Sequence, residues 1–158
     1  MAHAVVRMIY CVSPATGTDI GVNRAIARLP QSLSASFGLK AITDAVQSVP
    51  GLLAAIDAAR ADPDDLYMTS DTHGDRDRAI WPGPGRSVPM RATQSVAPGV
   101  TLSFSGSQNV SLWDHDTASR DDHLGSVTMF EHEKGQELFK LAASEVEGSA
   151  YYVHYRVY

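Results

Sequence analysis

The chain has 158 residues, 44% of them hydrophobic, and 18 acids against 13 strong bases give it a formal charge of −5. That length suits one compact domain, residues 1–158, and that hydrophobic content argues against disorder. The negative balance leaves no basic stripe, so nucleic acid is not expected as a partner, and no apolar run reaches the roughly 18 residues of a transmembrane segment.

Taken in chain order, the first ten residues lack both a charged leader and a long apolar stretch, so no signal peptide is expected. The default location is cytoplasmic, with peripheral attachment to a membrane and export by a route without a signal peptide left open. Ala4 to Val12, rich in Val, Ile and Tyr, predicts a strand, and Cys11, the single cysteine, is expected there as an inert core thiol. Ser13 to Asp19 carries turn chemistry. From Val22 to Ala61, apolar residues recur at helical spacing (Ala25, Ile26, Leu29; Ile42, Ala45, Val46; Leu52, Leu53, Ile56), and Pro30 and Pro50 divide them into two or three short helices. This helical insertion, residues 22–61, is expected across one end of the remainder. From Asp64 onward strand signals dominate. Leu66 to Met68, Val100 to Phe104, Val110 to Trp113, Gly125 to Phe130 and Tyr151 to Tyr158 read as strands, the last one offering an edge to another chain. The sum is a mainly β protein: an antiparallel β-sandwich of about eight strands with a helical insertion.

One segment carries most of the chemistry. Thirteen of the 18 acids are Asp, and Asp114, Asp116, Asp121 and Asp122 fall within nine residues. Charges this dense repel unless a cation or water compensates them. Asp114 and Asp116 are two apart at a strand end with Asp122 six further on, so a returning loop can aim all three at one point. Hard oxygen ligands in such number favour calcium over magnesium. An EF-hand is excluded: its sixth and twelfth positions would be Ser119 and Gly125, where that loop requires Gly and Glu.

The segment resembles the third calcium-binding loop of C2 domains. There a strand ends in Asp-x-Asp, a third Asp follows six residues later, and an aliphatic residue and Gly open the next strand. Asp114, Asp116, Asp122, Leu124 and Gly125 match these places. Asp65-Leu66-Tyr67 matches the family's earlier Asp-x-Tyr, and Asp19 falls near its first-loop Asp. The resemblance covers about residues 4–20 and 64–158, and the helical insertion departs from it. It implies a calcium (Ca2+) site formed by Asp114, Asp116, Asp122, Asp65 and Asp19, in a non-enzymatic module. The expected partner is an anionic phospholipid or a protein.

Two other readings stand beside it. One is a β-sandwich scaffold for protein interaction, adhesion or carbohydrate binding, with calcium structural or missing. The other is a metal-dependent hydrolase, since two carboxylates and a cation can activate water. His115 and His123 raise a zinc or iron variant, although His115, between Asp114 and Asp116, should point to the opposite side. Ser70 to Asp77 forms a second acidic stretch that reads first as a solvated hairpin turn and second as a further metal site or the lining of a binding face, and nothing in its spacing places it near the first. Trp81, beside Pro82 and Gly83, is expected to pack locally rather than to enter a membrane.

Overall fold

The computed structural model describes residues 1–17, 19–59 and 61–158; Thr18, in the expected turn, and Arg60, in the expected helical block, lie outside the described residues. Among the described residues ten strands form two antiparallel sheets. The first sheet holds β1 (Ala2–Ser13), β2 (Ser32–Ser34), β5 (Ser95–Val96), β6 (Val100–Phe104), β9 (Glu137–Ser144) and β10 (Ser149–Val157), in the order β2-β9-β10-β1-β5, with β6 also pairing β1. The second runs β4-β3-β7-β8, built from β3 (Asp64–Thr69), β4 (Val88–Met90), β7 (Ser107–Asp114) and β8 (Asp122–Phe130). Six strands in one sheet and four in the other, of which β2, β4 and β5 are only two or three residues long, make the antiparallel sandwich the alternation predicts.

The two inner faces share one core. Leu66, Met68, Val110, Leu112, Leu124 and Met129 meet Ile9, Cys11, Tyr151, Val153 and Tyr155 there. Strand β1 contributes Ala2, Ala4 and Val6 and then Ile9 and Cys11, a change from even to odd positions. An irregularity in its pairing with β10 between Val6 and Met8 causes the change, because one extra residue moves every later side chain to the other face. Gly125, at φ +141°, lets β8 pass against β9; a Cβ there would run into the Ala143 nitrogen and the Ala142 backbone.

Helices α1 (Ile20–Ile26), α2 (Leu39–Gln47) and α3 (Leu52–Ala59) make up the insertion, in agreement with the two or three short helices expected. Their position corrects the expectation that they lie across one end. They cover the outer face of the first sheet, where Val22, Ile26, Ile42 and Leu52 pack on Val12, Phe139, Leu141 and Tyr152. The reason lies in the sheet: its outer face is apolar as well, and covering it stabilises by about 1.5–3 kcal/mol per fully buried large side chain. The Tyr152 hydroxyl donates to the Pro30 carbonyl at 2.8 Å and ties the two layers together. For the same reason β10 is no edge: it lies between β9 and β1, and Tyr151, Tyr152, Val153, Tyr155 and Val157 are all buried.

The long connection from β3 to β4 folds back over the outer face of the second sheet. There Ala79 packs with Tyr67 and Trp113, and Trp81 returns to pair with Met68. Trp81 is half-buried against the main core, so its packing is local.

Candidate functional site: the acidic end and its neighbouring cleft

Antiparallel pairing brings six strand ends together. Ser13 closes β1 opposite Ala150, Asp114 closes β7 opposite Leu66 and Asp122, and Ser144 closes β9 opposite Ser149. The acids that local spacing singles out thus meet one that is distant in sequence, Asp65, whose backbone N–H donates to Asp114 Oδ1 at 2.6 Å. The His115 N–H returns the link by donating to the Asp65 carbonyl at 2.9 Å.

The charges here disturb one another. Burial first, and then the charges of Asp65, Asp122 and Asp116, push the Asp114 carboxyl up to about 6, although the Asp65 N–H opposes this. Asp122 is raised by burial and by Asp116 and Asp121. Asp116 is lowered, chiefly because the Ala118 N–H donates to it at 2.8 Å and also because the Ser119 hydroxyl does so at 2.9 Å. Glu147, in the β9–β10 turn, is raised by burial and by Asp122. Asp114 therefore lies within electrostatic reach of Asp65, Asp116 and Asp122, and Asp122 within reach of Asp116. Asp19 is occupied elsewhere, since as N-cap of α1 it accepts the Val22 N–H at 2.9 Å.

Two acids outside the expected set prove central. Asp64 is 1% exposed, accepts the Ala15 N–H at 3.0 Å, and is pushed up to about 7, mainly by burial, against the bonds it receives from Tyr151 and Ala15. Strand alternation held the signal for it, since Asp64 shares its face with Leu66 and Met68, whereas Asp65 faces outward. Asp121 accepts from three donors: the Tyr67 hydroxyl, the Asp116 N–H at 3.0 Å and His115 Nδ1 at 3.1 Å. His115 is thus turned toward Asp121, near enough to Asp116 to help lower its carboxyl. His123 lies on the Trp113 ring at 4.8 Å with Nε2 2.7 Å from Ser126 Oγ, and burial lowers its pKa.

Asp121 also borders a cleft that no local spacing announces. The stretch Thr72 to Asp77, which reads as a solvated turn, lies against the β7–β8 loop. A cavity of about 550 Å³ opens between them, with Thr72, Asp75 and Arg78 on one side and Trp113, Arg120 and Asp121 on the other. A second space of about 310 Å³ continues it past Asp77, His115 and Ser119. Gly74 fits flat on the indole: a Cβ there would come within 2.7 Å of Trp113 Cε3.

Acid side chains crowded at one sandwich end suit a hard cation in charge and donor type. Asp114 Oδ1 and both Asp116 oxygens are engaged internally, however, and among the described residues no three His, Cys, Asp or Glu side chains are drawn together closely enough to form a metal shell. A cation there requires Asp116 to exchange its bonds to Ala118 and Ser119 for the ion. No protein-family model and no curated protein matches the chain.

Proposed function

We propose that the chain is a non-enzymatic, C2-like module whose acidic end binds calcium and then engages an anionic phospholipid surface or a protein partner. One observation carries the reading: four carboxylates, Asp65, Asp114, Asp116 and Asp122, fall at one end of a two-layer antiparallel sandwich, and Asp114 is pushed up to about 6 there. A cation is the simplest relief for such crowding.

Those four side chains would hold the ion. When bound, it supplies positive charge and open coordination positions to an anionic headgroup. The chain's own contribution is to keep Asp114 anchored to the Asp65 backbone while Asp116, on the loop, changes partners. Asp121 steadies that loop through its bond to the Asp116 N–H.

Thermal unfolding with calcium and with chelator tests the proposal. Binding to the folded state raises stability by about 2.7 kcal/mol at a hundredfold excess over Kd. Asp116→Asn should remove most of the shift, and Asp75→Asn should leave it. An unchanged Tm at millimolar calcium would overturn the ion site. Sedimentation with vesicles of phosphatidylcholine and phosphatidylserine, with and without calcium, then separates a lipid partner from a protein one.

A further inference from the structure

The cleft between the β3–β4 connection and the β7–β8 loop is a second site, and none of the four calcium carboxylates lines it. Its charged lining is balanced: Arg76, Arg78 and Arg120 against Asp75, Asp77 and Asp121. Trp113 is the one large apolar side chain among the described residues of the lining. That composition argues against three ligand classes. An apolar ligand would leave guanidinium and carboxylate groups without partners. An anion would meet three carboxylates, and a cation three guanidinium groups.

An uncharged polyhydroxyl ligand meets none of these penalties. Each hydroxyl both donates and accepts, so neighbouring hydroxyls can take an N–H from arginine and give an O–H to aspartate. The donors are available: Arg120 and Arg76 have no ion-pair partner among the described residues, and Arg78, held by Asp71 at 2.7 Å, keeps further N–H groups free. Acceptors are available as well. Asp75 uses Oδ1 for the Asp77 N–H, and Asp121, with three donors already, has about one lone-pair site left. The Trp113 indole, 8% exposed and covered by Gly74, borders the cleft with its rim and gives it one apolar wall. The combined space falls within the usual range for small-molecule sites.

The walls are also fixed in advance. The Trp113 indole N–H donates to Thr69 Oγ1 at 3.0 Å, Asp71 holds Arg78, and Tyr67 and His115 hold Asp121. A site built this way loses little freedom on binding. We propose that this cleft binds a neutral saccharide, independently of calcium.

The test uses the full chain in chelator on an array of immobilised neutral hexose, pentose and N-acetylhexosamine glycans, with sulfated and uronate glycans alongside. The strongest neutral sugar is then titrated free in solution, with the Trp113 and Trp81 indole N–H signals followed by NMR. Saturable binding that shifts Trp113 and spares Trp81 is the expected result. Arg120→Ala and Asp75→Asn should each weaken it by about tenfold or more, the size of one lost charged hydrogen bond. Arg120 is exposed and unpaired among the described residues, and Asn retains the cap acceptor at position 75, so both variants should fold; Arg91→Ala, outside the cleft, should bind normally. The proposal is overturned if no neutral glycan binds, if binding is confined to sulfated or uronate glycans, or if both cleft variants bind as tightly as the parent chain.

Discussion

Asp64 and Tyr151 meet in the interior, the tyrosine hydroxyl donating to Asp64 Oδ2 at 2.5 Å, so that the first residue of β3 in one sheet is bound to the centre strand of the other. Tyr151 is fully buried, and its phenol is pushed well up by burial and by the neighbouring Cys11 and Asp64. Tyr151→Phe removes the donor but keeps the ring. It should cost about 1–3 kcal/mol, because a buried acceptor loses a partner. Urea unfolding reads the loss directly, and a loss near zero would show that the bond is not stabilising.

A second buried acid contributes to the response to low pH. Burial alone would raise the pKa of Glu133, but bonds from Lys140, the Phe130 N–H and Tyr155 outweigh it and hold the carboxyl below its ordinary value. A lowered carboxylate pKa contributes stability that is complete above its unfolded value and is lost as pH falls through the folded one. The contribution of Glu133 should therefore fade as pH drops below about 4.5, against an opposite drift from Asp64 and Asp114, whose raised carboxyls take up protons first in the folded state. Glu133→Gln should be less stable by about 3 kcal/mol at pH 7, where the half-buried Lys140 loses its counter-charge and keeps the Thr128 carbonyl, and should show a flatter acid limb. Denaturant midpoints from pH 3 to 7 give both quantities; parallel curves would refute the assignment.

Gly125 should tolerate no side chain. Its φ of +141° is strained for other residues, and a Cβ would meet β9 backbone, which cannot swing aside. Gly125→Ala is expected to cost more than about 2 kcal/mol. A Tm within a degree of the parent would contradict the close approach of β8 and β9.

Much of this site is legible from local pattern, and the remainder depends on pairing across the chain. Asp114, Asp116 and Asp122 stand out because their spacing is itself the geometry of a strand end and a returning loop. The alternation from Val100 to Trp113 likewise announces strands. Asp64 does not stand out: its importance depends on Tyr151, 87 residues away. Asp121 belongs to the visible cluster, yet its role comes from Tyr67, 54 residues earlier. Helical spacing in residues 22–61 reveals a buried stripe, but a stripe does not say which surface it will meet. That is settled by Phe139, Leu141 and Tyr152, which make the outer face of the first sheet too apolar to leave bare.

Asp19 separates capping from ion binding. Asp19→Ala should cost about 1 kcal/mol through loss of the α1 cap. If capping is all that it does, the stabilisation by calcium should be the same as in the parent chain. A diminished calcium shift would place this side chain among the ligands after all.

The pairing irregularity between Val6 and Met8 has a consequence for how this chain can change over evolutionary time. Point substitutions in β1 alter one contact each, but losing a single residue there would exchange the strand's sides from that point on. Ile9 and Cys11 would turn toward the helices, and Tyr10 and Val12 toward the opposite sheet. The strand is thus constrained in its count as strictly as in its composition. The connection between β1 and β3 has no such phase to keep, and it is where this sequence has room for a forty-residue detour.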